Sequence, residues 1–137
     1  MTQIDSTLAA AASGLRAQTV RMRIAAENIA NADSTGETAG ADPFRRRVPI
    51  FKSQDLQDGA RGVAVVGATE DQSEFKLEYN PGHPAADANG YVKMPNVNML
   101  VEMMDMREAQ RSYEANLGVI EMSRSMLMKT IDLLRNA

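Results

Sequence analysis

The residues with the most chemical potential are few. His83 and Asp87 stand four apart in "NPGHPAADANGY", a spacing that sketches half a metal site. His83 is the only histidine and there are no cysteines, so a zinc-type set of three or four N and S ligands cannot be completed. Pro81 and Pro84 also preclude a regular helix around it, and a surface-loop histidine is expected. Asp105, Glu108, Glu114 and Glu121 could offer paired carboxylates for acid–base work. Arg107, Arg111 and Arg124 interleave them at helical spacing, which reads as a solvated or inter-helix salt-bridge face. "RRR" at 45–47, beside Phe44, could meet phosphate. With a net charge of −3, a protein partner or a solvated strand edge is the expected use. No glycine-rich phosphate loop follows a strand, and Ser, Thr and Tyr lack a base. No catalytic constellation, cofactor site or metal site is expected, and the chain reads as a non-enzyme.

The elements that would position such residues follow from proline and glycine. All 5 prolines, and seven of the 9 glycines, fall between Gly36 and Pro95. These residues disfavour helix interiors by ~3 and ~1 kcal/mol relative to alanine, so the chain divides into three: an N-terminal helix (1–32), a loop and short-strand middle (33–97) and a C-terminal helix (98–137). In the first, Ile4, Leu8, Ala11, Leu15, Gln18, Met22, Ala25, Ile29 and Ala32 alternate spacings of four and three, an a/d seam. The last repeats the pattern through Met99, Met103, Met106, Gln110, Tyr113, Leu117, Ile120, Arg124, Leu127, Ile131 and Leu134. A second apolar stripe runs beside it through Val119, Met122 and Met126. Asn98 is the expected N-cap. Many of the 10 methionines cluster on this helix, where they suit either an adaptable core or an interface with non-identical neighbours.

The middle predicts strands at 47–51, 62–68 and 74–79, forming a small β-hairpin or an ordered loop, with parts of 33–43 and 52–61 flexible. A helix over 99–135 is ~55 Å long, whereas a compact chain of this size is only ~37 Å across. Either the helix breaks near Gly118 or the molecule is elongated and exposes seam residues that need partners. The first residues lack a basic region and an apolar core, so no cleaved signal peptide is expected. No apolar run reaches the ~18 residues of a membrane span.

Two blocks carry a resemblance. "SGLRAQTVRMRIAAENIANADST" (13–35) is similar to the N-terminal signature of flagellar axial proteins: Asn28, Ile29, Ala30 and Asn31 match its N-[IL]-A-N-x-x-T pattern, with Ser34 at the last position and Thr35 just after it. "HPAADANGYVKMPNVNMLVEMMDMREAQRSYEANLGVIEMSRSMLMKTIDLL" (83–134) resembles the C-terminal half of the flagellar basal-body rod family, most closely its short proximal-rod members. Pro95, Asn96, Val97 and Asn98 carry that likeness, as do Ala109, Arg111, Tyr113, Ala115 and Asn116. The segment "GETAGAD" (36–42) departs from it, standing where many relatives have a short link.

The resemblance implies a mainly α, elongated fold: two long terminal helices pairing as a coiled-coil-like hairpin around a small irregular or β middle. It implies a structural subunit of the proximal rod that assembles by its terminal helices into a tubular drive shaft for motility. The implied partners are other rod subunits and copies of itself, with no nucleic acid and no membrane insertion. Delivery would be by the flagellar type III export apparatus, to the periplasm-spanning basal body. Asn28 and Asn31 are then expected to bond their local backbone and turn the chain out of the inner helix. Arg124, a charge on the seam, is expected to meet a carboxylate or carbonyls either on the chain's own first helix, with Asp5 and Glu27 as candidates, or on a neighbouring subunit. The reading from another class is a soluble coiled-coil adaptor or secretion chaperone acting as a dimer.

Overall fold

The computed structural model describes residues 3–137, so residues 1 and 2 of the expected first helix lie outside it. Two helices, α1 (Gln3–Ala30) and α2 (Met99–Arg135), flank a middle of four strands. Alanine-rich sequence favours α1, which ends where Asn31 donates its side-chain amide to the Glu27 carbonyl at 2.8 Å. Asn98 starts α2, its side chain accepting from the backbone N–H groups of Leu100 (3.1 Å) and Val101 (3.4 Å). α2 passes Gly118 without a break, so its 37 residues extend ~55 Å at 1.5 Å per residue.

β1 (Arg47–Asp55) and β2 (Arg61–Glu70) form one antiparallel hairpin, with a register shift between Ile50 and Phe51. β3 (Lys76–Tyr79) and β4 (Tyr91–Met94) form a second. The expected strands are present with different bounds, and β1–β2 pairing extends to Asp55 and Arg61 through much of the segment read as flexible. β4 was not expected, because four residues flanked by turn chemistry carry little periodicity of their own. The 36–42 segment lies against the second hairpin: Gly40 N–H donates to the Ala85 carbonyl at 3.1 Å, and Lys93 pairs with Asp42 at 2.9 Å.

α1 and α2 pack antiparallel, Gly14 lying at Asn116 and Asn28 at Glu102. The buried apolar residues are small: Ala11, Ala17, Ala25 and Ala109, with Ile24, Val92 and Val97 the largest. Such a core permits close approach. A Cβ on Gly14 would meet the Asn116 amide nitrogen at 2.7 Å, and one on Gly62 would collide with the Ser13 hydroxyl. That hydroxyl also accepts the Val63 N–H at 3.2 Å, fastening β2 to α1. Among the described residues, no helix is long and apolar enough to cross a membrane.

Candidate functional site: the helix pair and its two faces

Asn28 is 1 % exposed and does not bond its local backbone as expected. Its amide accepts from Arg47 N–H and donates to the Arg47 carbonyl, both at 2.9 Å, as a neighbouring strand would. The same amide nitrogen donates to Glu102 Oε2 at 3.4 Å. Asn31 alone makes the local bond. The two asparagines of one motif thus divide the work: Asn31 finishes the helix, and Asn28 receives the strand that follows.

Glu102 is 1 % exposed, and an unpaired carboxylate there would be costly. Arg46 Nε donates to its Oε1, while Arg46 Nη1 pairs with Asp71 at 3.3 Å. Desolvation opposes the Arg46 charge, but Glu102 and Asp71 outweigh it and hold the guanidinium pKa above its ordinary value. The Asp71 carboxyl is held below the usual range, first by the Ser73 backbone N–H at 2.9 Å, with Arg46 adding. Asn96 closes the ring, accepting the Arg46 N–H at 2.7 Å and donating to the Asp71 carbonyl at 2.9 Å. The basic cluster is therefore engaged within the chain. Arg45 lies 4.2 Å from the Phe75 ring centroid and donates to the carbonyls of Asp71 and Ser73, and Arg47 pairs with Glu27 at 3.5 Å.

Farther along the helices, Arg21 on α1 bonds Asp105 and pairs with Glu108 of α2 at 3.4 Å, so these carboxylates form the inter-helix face that their spacing predicts. The Asp105 hydrogen bond is the main reason the Arg21 pKa is raised. No acid–base pair is assembled. His83 is half-buried in its turn, its Nδ1 accepting the Ala85 N–H at 3.0 Å. No group of three or more metal-type ligands occurs among the described residues.

The stripe that α2 turns toward α1 overlaps the apolar stripe read from sequence in only one of its rows. The buried residues of α2 are Glu102, Ala109 and Ser123, with Asp105, Ser112 and Asn116 half-buried. Of the predicted seam, Met106, Tyr113 and Ile120 are half-buried. Met99, Met103, Leu117, Leu127, Ile131 and Leu134 are exposed, as is Arg124. On α1, Ala25 and Ala11 are buried, while Ile4, Leu8, Leu15, Met22 and Ile29 are half-buried. Glu27, one expected partner of Arg124, is bonded to Arg47.

The motif residues sit mostly at the junction. Pro95 and Val97 are buried, the Val97 carbonyl accepting Lys76 Nζ at 2.9 Å, and Asn96 and Asn98 act as described. Asn116 is half-buried against Gly14, Thr35 is half-buried, and Ala30 and Ala115 are exposed. Sequence reading missed Arg46 and Glu102 as partners. The only available signal was a carboxylate on the face adjoining the seam, and nothing local ties it to an arginine 56 residues away.

The profile of the family described as "Flagella basal body rod protein" matches residues 8–36, and that of "Flagellar basal body rod FlgEFG protein C-terminal" matches 88–133. The chain is 56 % identical over 126 residues to the flagellar basal-body rod protein FlgC of Agrobacterium fabrum, covering 91 % of each chain. It is 45 % identical to FlgC of Salmonella typhimurium (90 % of this chain, 92 % of the relative). Against FlgC of Aquifex aeolicus it is 38 % identical (96 % and 98 %). The two profiles cover α1 with its exit turn and α2 with its entry, the segments that the Asn28–Glu102 contact brings together, and the relatives span nearly their whole length. The chain belongs to the FlgC family of flagellar basal-body rod proteins.

Proposed function

We propose that this chain is a structural subunit of the flagellar basal-body rod, in its proximal part, and that it works by packing rather than by catalysis. The observation carrying the reading is the uncovered apolar surface of α2. Leu117, Leu127, Ile131 and Leu134 are large, apolar and exposed at helical spacing along one element. Monomeric proteins seldom leave so extended an apolar surface open, and its natural use is burial against other chains. The α1–α2 pair acts as a coiled-coil-like hairpin whose seam is internal and whose uncovered apolar surface, on the flank and last turns of α2, meets neighbouring subunits. Heterologous contacts of that kind, when they do not close, generate a helical tube.

The partners are then other rod subunits, copies of this chain among them, and Arg124 finds its carboxylate or carbonyl on one of them. Delivery runs through the flagellar type III export apparatus. A closed dimeric adaptor fits less well, because the chain belongs to a rod family and its apolar stripe continues to the end of α2. The test is complementation of a strain lacking its rod subunit. The native chain restores swimming, while Leu117→Ala and Ile131→Ala lower it, since each removes a contact worth ~2–5 kcal/mol in a packed site, repeated in every subunit. Full swimming by both variants would remove the assembly role of this face.

A further inference from the structure

The inner seam raises a question of its own: what selects its register? On α2, Glu102, Ala109, Asn116 and Ser123 recur every seven residues; on α1, Gly14, Arg21 and Asn28 do the same. In the observed pairing Asn28 faces Glu102 and Gly14 faces Asn116. Sliding α2 by one heptad brings Gly14 opposite Ser123 or Ala109 instead. Both are small and buried, so the space Gly14 leaves is filled almost equally well. Large knobs and holes discriminate registers by shape, and this seam has few. Polar groups with directional partners must discriminate instead.

We infer that Glu102, clasped by Arg46 and Asn28, selects the register in which α1 and α2 pair. Three elements meet at this carboxylate. Asn28 brings α1, Glu102 brings α2, and Arg46 with Arg47 brings the start of β1, bonded to both. If Gly14 slips to Ser123, Asn28 faces Ala109 and Glu102 passes beyond the end of α1; if it slips to Ala109, Glu102 leaves Asn28 and Arg46 for Arg21, which must then leave Asp105. In both slips the Arg46 guanidinium and the buried Asn28 amide lose their carboxylate, and a buried polar or charged group without its partner is strongly disfavoured. The cost therefore falls on the wrong registers and spares the right one, as a single buried polar residue does in a coiled coil. β1 serves as the ruler, because residues 46 and 47 hold both helices at once. Arg21 with Asp105 adds a second, more exposed pin, whose partial solvation makes it the weaker discriminator. Glu102 is a positioning residue: it sets where the outer stripe of α2 is displayed and touches no partner itself.

The chain has no cysteine, so two introduced thiols are the only ones present. Gly14→Cys is combined with Asn116→Cys for the native register, or with Ala109→Cys or Ser123→Cys for the two slips, the last two each with Asn116→Ala so that position 14 has room in every register. Intramolecular disulfide is measured on the monomer band at low protein concentration. In the otherwise unaltered chain the 14/116 pair should close with about a hundredfold preference over the other two. In the Glu102→Leu/Arg46→Met background, helix content by circular dichroism should persist while the three pairs close at comparable rates. Glu102→Gln, which keeps the shape and an acceptor but not the charge, should retain only part of the native preference. Three results would each overturn the inference. One is exclusive 14/116 closure in the Leu/Met variant, which would mean packing alone selects register. Another is loss of helix in that variant, which would make the node a stabiliser of folding. The third is absence of a 14/116 preference in the unaltered chain.

Discussion

Two stretches of the α2 surface contrast in a way that runs against the usual expectation for a core. The face turned toward α1 is small and polar, with Glu102, Ala109, Asn116 and Ser123; Leu117 on its flank, and Leu127, Ile131 and Leu134 in the last turns of the helix, stand in the open. In a protein built to stand alone, the large apolar side chains would be inside. Here the intramolecular contact is made by close backbone approach and directional polar bonds, leaving the large apolar side chains free for neighbours. A subunit that must hold its own shape and also join an assembly gains from keeping these contacts chemically distinct. Polar pins tolerate one geometry, whereas methionine and leucine accommodate several partners.

That contrast can be broken most severely on its inner side. Arg46→Met strands the Glu102 carboxylate, and a loss of ~3–5 kcal/mol of unfolding free energy is expected by urea titration. A loss under 1 kcal/mol would mean that the carboxylate finds water or protonates at little cost. Next comes Gly14→Ala. The added methyl meets the Asn116 amide at 2.7 Å, so ~1–3 kcal/mol should be lost to overpacking. Asn116→Ala in the same chain should recover part of it.

The outer side should respond in the opposite sense. Leu117→Ala and Ile131→Ala, damaging to swimming, should shift the stability of the isolated chain by no more than ~0.5 kcal/mol, because exposed positions contribute little to folding. A larger shift would place those side chains inside the monomer's own core. A smaller effect concerns acid. The Asp71 carboxyl pKa is depressed by Ser73 N–H and Arg46, so its contribution is fully present above the unfolded value of about 3.9. It is lost as pH falls through the lower folded value. Asp71→Asn should flatten the acid limb of stability below about pH 4 and lower stability at neutral pH. An unchanged acid limb would show that the carboxylate contributes nothing. The smallest effect is expected at His83→Ala, whose side chain holds only one turn N–H. Swimming should be unchanged, and its loss would reopen a functional role for that turn.

The partition into helix, irregular middle and helix was legible because proline and glycine act locally. Their conformational costs are paid wherever they stand, so both helix limits and the Asn98 cap could be read without knowing the fold. The apolar stripe of α2 was equally legible, being a periodicity of one helix. Which face that helix would turn toward α1 was not. Periodicity shows that an apolar face wants burial, but says nothing of whether the covering surface belongs to the same chain. Asn28 shows the limit at one residue. Sequence reading expected it to bond locally like Asn31, since an asparagine near a helix end has the reach to do so. Its actual partner stands 19 residues on, at Arg47.

What the sequence by itself determined is therefore the two helices and their lengths, the place of three of the four strands, and the family to which the chain belongs. Each of these follows from local propensity, helical period or a contiguous motif. Only the tertiary structure decided that the arginine cluster is engaged within the chain, that Glu102 is the buried charge of the seam while Arg124 is exposed, and that the small residues of α2 are the ones covered. These are choices between surfaces of similar local composition. They turn on the desolvation of a few charges and on how closely two backbones can approach, quantities that exist only once distant segments have met.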